Sequence, residues 1–458
     1  MKLKVPAEIE EIAEKLQKQG YSAYLVGGCI RDLLLKNEPK DWDITTDARP
    51  EEIQKLFPES VYENDFGTVG VKTGSETPSL RIVEITTFRL EGRYTDKRHP
   101  DEIKFAKTVE EDLSRRDFTV NALAFDLNKE IIIDPFSGKE DLENKIIRAV
   151  GDPVTRFNED ALRLLRAVRF SAQLGFKVED NTAEALKRGA HLLEIVSNER
   201  IRDEFMKLIM TPRAAEGIEA LVGTGLMRFI VPEILEGVGI AQNKHHIYTV
   251  YEHNLKALEY AVKKNYSLGV RLASFFHDVG KPRTKRGEGP DATFHGHEVV
   301  GAKMVLKIMD KLRFPKEVIE YVAHLVRWHM FYYNVGEVSE AGVRRFLRRI
   351  GTECLDDLLR VREADRIGSG VPKAVPYKLR HLMFMIDKVK RDPISPKALK
   401  IDGNEVMKIL GVEPGPRIGH ILALLLEEVI EKPELNDREI LITRLQELNK
   451  MTDAELAG

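Results

Sequence analysis

Apolar positions in the first third of the chain fall into short runs separated by helically spaced segments. Tyr24 to Val26, Trp42 to Thr45, Thr68 to Lys72, Leu80 to Phe88 and Glu130 to Ile133 are apolar or β-branched and bounded by turn residues, the signature of strands. With Met1 to Gln17 reading as an amphipathic helix, residues up to about Arg148 predict an α/β unit. From Asn158 onward the period becomes helical, as in Ala161, Leu164, Leu165 and Val168, and again in Ile421, Leu424, Leu425 and Val429. The remaining two-thirds is therefore expected to be all-α, with no convincing strand. Glycine- and proline-rich breaks fall at Gly151-Asp152-Pro153, within Gly223 to Gly239, around Gly368 to Pro376 and at Pro393 to Pro396.

Length and composition narrow the class. At roughly 150 residues per domain, 458 residues suggest about three domains. The longest unbroken apolar run is Ile421 to Leu426, far below the roughly 20 residues that span a bilayer, so no membrane partner is expected. The N-terminus lacks the basic cap and apolar core of a secretory signal, which predicts a cytoplasmic protein. Cys29 and Cys354 show no metal-ligand spacing and are expected as small buried side chains in a reducing compartment. A net charge of -3 argues against a DNA-coating protein; no DNA partner is expected, and any RNA contact must use local basic patches.

Candidate chemistry begins at Gly27-Gly28, where the first strand should end. Two glycines let a ligand approach the backbone, and the following Cys29 to Asp32 should open a helix with Leu33 and Leu34 on its buried face, its N-terminus offering N–H groups to an anion. A plain packing turn is the rival reading. Asp41-Trp42-Asp43 strengthens the first: on a strand, residues i and i+2 face one way, and two carboxylates can hold one or two Mg²⁺ ions. A solvated acidic edge is the alternative. Glu84, inside an apolar strand, would be costly to bury without a cation and is the third candidate carboxylate.

Together with Arg31-Asp32, the run Arg115 to Ala122 and the run Glu159 to Arg166, these motifs resemble those of class II tRNA nucleotidyltransferases (CCA-adding enzymes) and the related bacterial poly(A) polymerases. The resemblance covers about residues 20 to 210, with a further similarity at 400 to 439. It implies transfer of nucleoside monophosphate from CTP or ATP to the 3′ end of tRNA, without a template. In that role Asp41 and Asp43 would hold Mg²⁺, Gly27, Gly28 and Arg31 would grip the triphosphate, and Arg116 and Asp117 would contact phosphates and ribose. Asp160 and Arg163, three apart on one helical face, could offer an acceptor and a donor to the amino and ring-nitrogen edge that cytosine and adenine share, with Arg166 and Arg169 continuing the series. An ordinary ion pair is the alternative for Asp160 and Arg163, and a packing role for Arg169. Gly92 to Pro100 resembles the family's flexible loop, although His99 stands where relatives commonly carry arginine.

Eight of the twelve histidines lie between His245 and His329. His253, His277-Asp278 and Asp365 resemble the HD phosphohydrolase ligand set, whose imidazoles and carboxylates suit Ni²⁺, Co²⁺ or Mn²⁺. His297 and His329 could add contacts, but each alone reads as a packing histidine. Pro416 should begin the apolar helix around Ile421 to Val429, a possible phosphate dock, and Arg344 to Arg349 with Lys388 to Arg391 are the best basic patches for the tRNA acceptor and T-arm. The expected fold is α+β: a small mixed-sheet nucleotidyltransferase head (1–150), then an elongated all-α remainder of neck (151–225), HD body (226–370) and tRNA-binding tail (371–458). Partial CC- or A-addition, poly(A) synthesis, and an HD phosphohydrolase with a vestigial head remain alternatives.

Overall fold

A computed structural model describes residues 3–64, 67–90, 104–243, 247–370 and 374–457. The chain divides into two compact units, Met1–Leu235 with Met309–Phe314, and Glu236–Ile308 with Pro315–Gly458.

The first unit is built on strands β1 (Ala23–Val26), β2 (Asp43–Thr46), β3 (Ser60–Asn64), β4 (Thr68–Lys72), β5 (Ile82–Thr87), β6 (Arg89–Leu90), β7 (Lys104–Phe105), β8 (Ala124–Asp126) and β9 (Ile131–Ile133). Seven of them form one mixed sheet in the order β3-β4-β5-β2-β1-β8-β9. β2 and β5 are parallel while the other neighbours run antiparallel. Leu25, Ile44, Val69 and Ile85 are fully buried on these strands, which fixes register because a slip of one residue would turn them to the opposite face. That register sets Asp43 beside Glu84.

The sequence reading found β1, β2, β4, β5 and β9 but missed β3 and β8. Ala124–Asp126 is only three residues long and buried throughout, so it shows no alternation to detect. The helical region also holds a strand, β11 (Lys177–Val178), paired in parallel with β10 (Ile146–Ile147). The helix after Gly27 runs Gly28–Leu34, but its buried face is Cys29, Ile30 and Arg31; Leu33 and Leu34 are only half-buried. Cys29 is buried as expected, whereas Cys354 is half-buried.

Two helices then lead toward the site, Pro153–Glu159 and Leu162–Leu174. Asp152 caps the first by accepting from the Thr155 backbone N–H, and Gly175 ends the second in the left-handed region at φ 71°.

In the second unit, helices Val250–Lys263, Leu268–Phe276, Lys316–Trp328 and Leu355–Gly368 pack into one bundle. Gly368 allows the close approach: a Cβ there would stand 2.9 Å from the His253 carbonyl oxygen. A separate core of Ile401, Val406, Ile421, Leu425, Val429, Leu441 and Leu445 surrounds helix Pro416–Glu431. No helix among the described residues is long and apolar enough to cross a membrane.

Candidate active site

In the first unit a cavity of about 910 Å³ is lined by Gly27, Gly28, Arg31, Asp41, Asp43, Glu84, Arg116, Asp117, Asp160, Arg163, Arg166 and Arg169. All of the residues singled out there from sequence therefore meet, although several arrive by routes other than those expected. β2 begins at Asp43, so Asp41 precedes the strand and the i, i+2 argument does not explain its position. The glycine turn brings the two acids together: Cβ atoms added to Gly27 and Gly28 would lie 3.7 Å from Asp43 Oδ2 and 4.0 Å from Asp41 Oδ1. Glu84 is exposed on the cavity face, not buried, so the cost of burying it is not what marks it. Its mark is the register with Asp43. Burial pushes the Asp43 carboxyl up to about 7, and the charges of Asp41 and Glu84 add to the rise against the opposing Arg116. A cation between these acids would relieve that repulsion.

Gly27 adopts φ 73°, and a Cβ there would fall 2.6 Å from Arg116 Nη1. The missing side chain is thus where the guanidinium crosses the turn. In Gly27→Ala, backbone strain of about 1–3 kcal/mol and the displacement of Arg116 should lower Tm, measured by thermal unfolding; an unchanged Tm would show that the turn accepts a side chain.

Arg31 is buried and donates to Asn121 Oδ1 at 2.7 Å while pairing with Asp32 at 2.8 Å. Asp117 follows the helix Val109–Ser114 and is not a surface charge on it. Burial would raise its pKa, but Arg166 at 2.6 Å and the Asn121 amide outweigh burial and hold it at about 2.

Asp160 was expected on one helical face with Arg163. It lies instead in extended backbone between the two helices, its Oδ1 accepting from Leu162 N–H at 3.0 Å and its Oδ2 from Arg200 at 2.8 Å. Arg163 is braced by Glu159 at 2.8 Å and by the Arg115 carbonyl at 2.9 Å. Both side chains are thus fixed by partners other than an i, i+3 pair. Arg169 stacks 3.9 Å over Phe170 and bonds Glu204 at 2.6 Å. Sequence reasoning missed Arg200 and Asn121, whose partners Asp160 and Arg31 lie 40 and 90 residues away.

In the second unit six residues converge: His253, His277 and Asp365 as one group, Asp278, His297 and His329 as another, all buried. Of the two readings open for His297 and His329, this grouping favours added metal or phosphate contacts over isolated surface or packing histidines. A cavity of about 710 Å³ opens beside them. The Nδ1 atoms of His277, His297 and His329 lie 2.8, 2.8 and 2.7 Å from the carbonyls of Ser274, Phe294 and Val326. An Nδ1–H donating to each carbonyl leaves Nε2 as a lone pair facing the interior. There His253 and His277 bring their Nε2 atoms within 2.8 Å, His297 and His329 within 3.3 Å, and Asp278 Oδ2 stands 3.1 Å from His253 Nε2. Such a convergence of acceptors fits a cation. Lys281, 2.6 Å from Asp278 Oδ2, supplies one positive charge, and protons supply more: burial would lower the His277 pKa, but Asp278 and Asp365 outweigh it and push it to about 10.

The basic patches proposed from sequence are largely neutralised. Arg344 pairs with Asp392 and Glu340, Arg345 with Glu427 and Glu431, Arg348 with Glu427, and Lys388 with Glu340. Pro416 does begin its helix, but neighbouring Arg417 is bound to Asp453 and to the Met451 carbonyl. The loop Gly92 to Pro100 lies outside the described residues.

Three family models match the chain: the Poly A polymerase head domain at residues 23–148, a probable RNA- and SrmB-binding site of polymerase A at 175–237, and the HD domain at 250–368. A CCA-adding enzyme of Streptococcus gordonii is 32% identical over 452 residues, covering 97% of this chain and 98% of that protein. One from Lactobacillus helveticus is 49% identical over 216 residues, 47% of this chain and 53% of that protein. The crystal structure of the Bacillus stearothermophilus CCA-adding enzyme in complex with CTP superposes with a TM-score of 0.73 at 28% identity, covering 97% of this chain and 98% of that one.

Proposed function

The chain belongs to the CCA-adding enzymes, and from that premise we propose that it builds the 3′-terminal CCA of tRNA from CTP and ATP without a template, releasing pyrophosphate. The observation that carries this reading is the single cavity in which Asp41, Asp43 and Glu84 face the arginines of the glycine turn and neck. We assign Asp41 and Asp43, with Glu84 beside them, to Mg²⁺. When bound, that ion supplies activation of the tRNA 3′-hydroxyl and neutralisation of charge at the reacting phosphate. Gly27 and Gly28 admit the triphosphate, Arg31 and Arg116 grip its oxygens, and Asp117 orients Arg166 over the sugar and phosphates. We infer from the tRNA substrate that the protein acts in the cytoplasm. We infer a division of the chain into head (1–150), neck (151–225), HD body (226–370) and tail (371–458).

Base choice follows from hydrogen bonding. Cytosine and adenine each pair an exocyclic amino donor with a ring-nitrogen acceptor, whereas uracil and guanine reverse the order. Asp160, with Arg200 and the Leu162 N–H fixing its oxygens, accepts; Arg163, braced by Glu159, donates. Removing either contact should cost about 1–3 kcal/mol of discrimination. Asp160→Ala or Arg163→Ala is therefore expected to relax selection of CTP over UTP by about 5- to 150-fold. Unchanged incorporation ratios would make the pair structural. The reading as a whole is tested by offering tRNA ending at the discriminator base, at C and at CC, each with CTP or ATP alone. Addition of two C and then one A is expected. Addition of A alone to every end would point to a poly(A) polymerase.

The inward-facing Nε2 atoms favour a second activity. We assign His253, His277, Asp278 and Asp365, joined by His297 and His329, to Ni²⁺, Co²⁺ or Mn²⁺, which supplies hydroxide from bound water for phosphate-ester hydrolysis. The class of substrate is a 2′,3′-cyclic phosphate or a simple phosphomonoester.

A further inference from the structure

Helix Leu355–Gly368 ends beside the histidine cluster, where Arg362, Arg366 and the C-cap Ser369, at steps of four and three, line the cavity of about 710 Å³ together with Asp365. The carboxylates of that lining each hold a cation already. Asp278 has Lys281 at 2.6 Å, Asp365 has Arg362 at 2.6 Å, and Glu298 has Arg327 at 3.7 Å. Arg366 is the cation left over. It forms no hydrogen bond and no ion pair with any described residue, and its Nε is buried without a partner. The charge of Asp365 reaches it, but the two oxygens of that carboxylate are engaged elsewhere, Oδ2 with Arg362 and Oδ1 at 3.3 Å from His253 Nε2.

The end of the helix does not account for this residue. An arginine in a last turn answers the helix dipole by donating to a terminal carbonyl, and Arg366 donates to none among the described residues. A buried guanidinium nitrogen without an acceptor is a cost to the folded chain that a ligand removes on binding. Guanidinium offers donors and a positive charge only, so the ligand is an anion. Asp278, His297 and Asp365 of the metal-ligand cluster open on the same cavity, which narrows the anion to the phosphate of an ester presented to that cluster.

We propose that Arg366 is the phosphate-binding residue of this cavity, and that it selects a phosphomonoester over a 2′,3′-cyclic phosphate. The proposal rests on the phosphohydrolase reading above and decides between the two ester classes left open there. A guanidinium fork grips two phosphate oxygens in parallel. A monoester has three non-bridging oxygens, so one stays free to face the ligand cluster. A cyclic diester has only two, and turning one to the cluster leaves Arg366 a single oxygen. The monoester also carries a second negative charge above its second pKa of about 6. Arg366 makes and breaks no covalent bond in this role.

The test uses the full-length protein with Arg366→Met, which keeps the half-buried stem and removes the charge, and Arg366→Lys, which keeps the charge and loses the fork. Binding of labelled inorganic phosphate is read by equilibrium dialysis, with saturating CTP present to occupy the cavity of the first unit. Arg366→Met should weaken it about tenfold or more while metal content and Tm stay as in the wild type. With Mn²⁺ supplied, KM for p-nitrophenyl phosphate should rise about tenfold or more, and KM for 2′,3′-cyclic AMP about threefold or less. Arg366→Lys should recover the cyclic ester and not the monoester. Unchanged phosphate binding, or an equal rise in KM for both esters, overturns the proposal. Loss of metal from Arg366→Met also overturns it, since Arg366 would then support Asp365. So does weaker tRNA binding with phosphate binding unchanged, which would place Arg366 on RNA backbone. Failure of the underlying reading looks different: a wild type that binds phosphate through Arg366 but hydrolyses neither ester with Ni²⁺, Co²⁺ or Mn²⁺ overturns the phosphohydrolase reading and leaves Arg366 as an anion site.

Discussion

Asp41→Ala and Asp43→Ala are each expected to abolish incorporation of CTP and ATP, by about 10³-fold or more, while the protein stays folded. The magnitude follows from metal-assisted charge stabilisation worth several kcal/mol at about 1.4 kcal/mol per tenfold. The folding expectation follows from the surroundings. Asp43 sits on β2 with neighbours on both sides, and burial first, with the charges of Asp41 and Glu84 adding to it against Arg116, raises its carboxyl to about 7, so its charge is a cost to the folded state. Losing one acid removes repulsion from the folded state and should leave Tm unchanged or raise it. Asp43→Asn separates the effects further, since it keeps volume and loses only charge. Steady-state incorporation with thermal unfolding on the same samples checks both halves. Turnover near the wild-type rate in either variant would remove the pair from catalysis, and a large fall in Tm would make it structural.

The outline of this site was legible because its chemistry is written in local motifs. The glycine turn, the paired acids and the Glu159 to Arg166 run each carry residue types suited to that chemistry, although the spacing arguments for Asp41 and for Asp160 with Arg163 do not hold, and the parallel β2–β5 register then joins Glu84 to them. What the sequence hid was pairing across distance. Asp160 looked like one end of an i, i+3 pair because nothing local reveals that a helix stops at Glu159 and restarts at Leu162, or that Arg200 comes to hold the carboxylate. Arg344 to Arg349 looked like an RNA-binding patch because the acids that neutralise it, Glu427 and Glu431, lie about eighty residues away. His297 and His329 failed in the opposite direction. Taken singly, a histidine is more often packing than ligand, and only the fold shows that four imidazoles and two carboxylates share one buried volume.

Asp278→Ala is the second large effect, and it should divide the two proposed activities. Asp278 touches both imidazole groups: its Oδ2 lies 3.1 Å from His253 Nε2 and its Oδ1 3.2 Å from His297 Nε2. Without it neither group retains a full ligand set, so the proposed transition-metal binding and hydrolysis of 2′,3′-cyclic phosphates should be lost together. The substitution also strands Lys281, nearly buried and 2.6 Å from the carboxylate, and an unpaired buried charge costs about 3–5 kcal/mol. A lower Tm is therefore expected from Asp278→Ala whatever the site does. Asp278→Asn keeps volume and hydrogen-bonding capacity, and Asp278→Asn/Lys281→Met removes the stranded charge as well; both should stay folded yet lack metal. Incorporation of CTP and ATP should persist in these folded variants, because Asp41 and Asp43 belong to the other compact unit. Elemental analysis, hydrolysis with Ni²⁺, Co²⁺ or Mn²⁺, and nucleotide addition on the same preparations decide it. Wild-type protein that holds no metal and hydrolyses nothing with any of the three ions would leave the six buried ligands as a structural core whose charges Lys281 and the protons on the imidazoles balance.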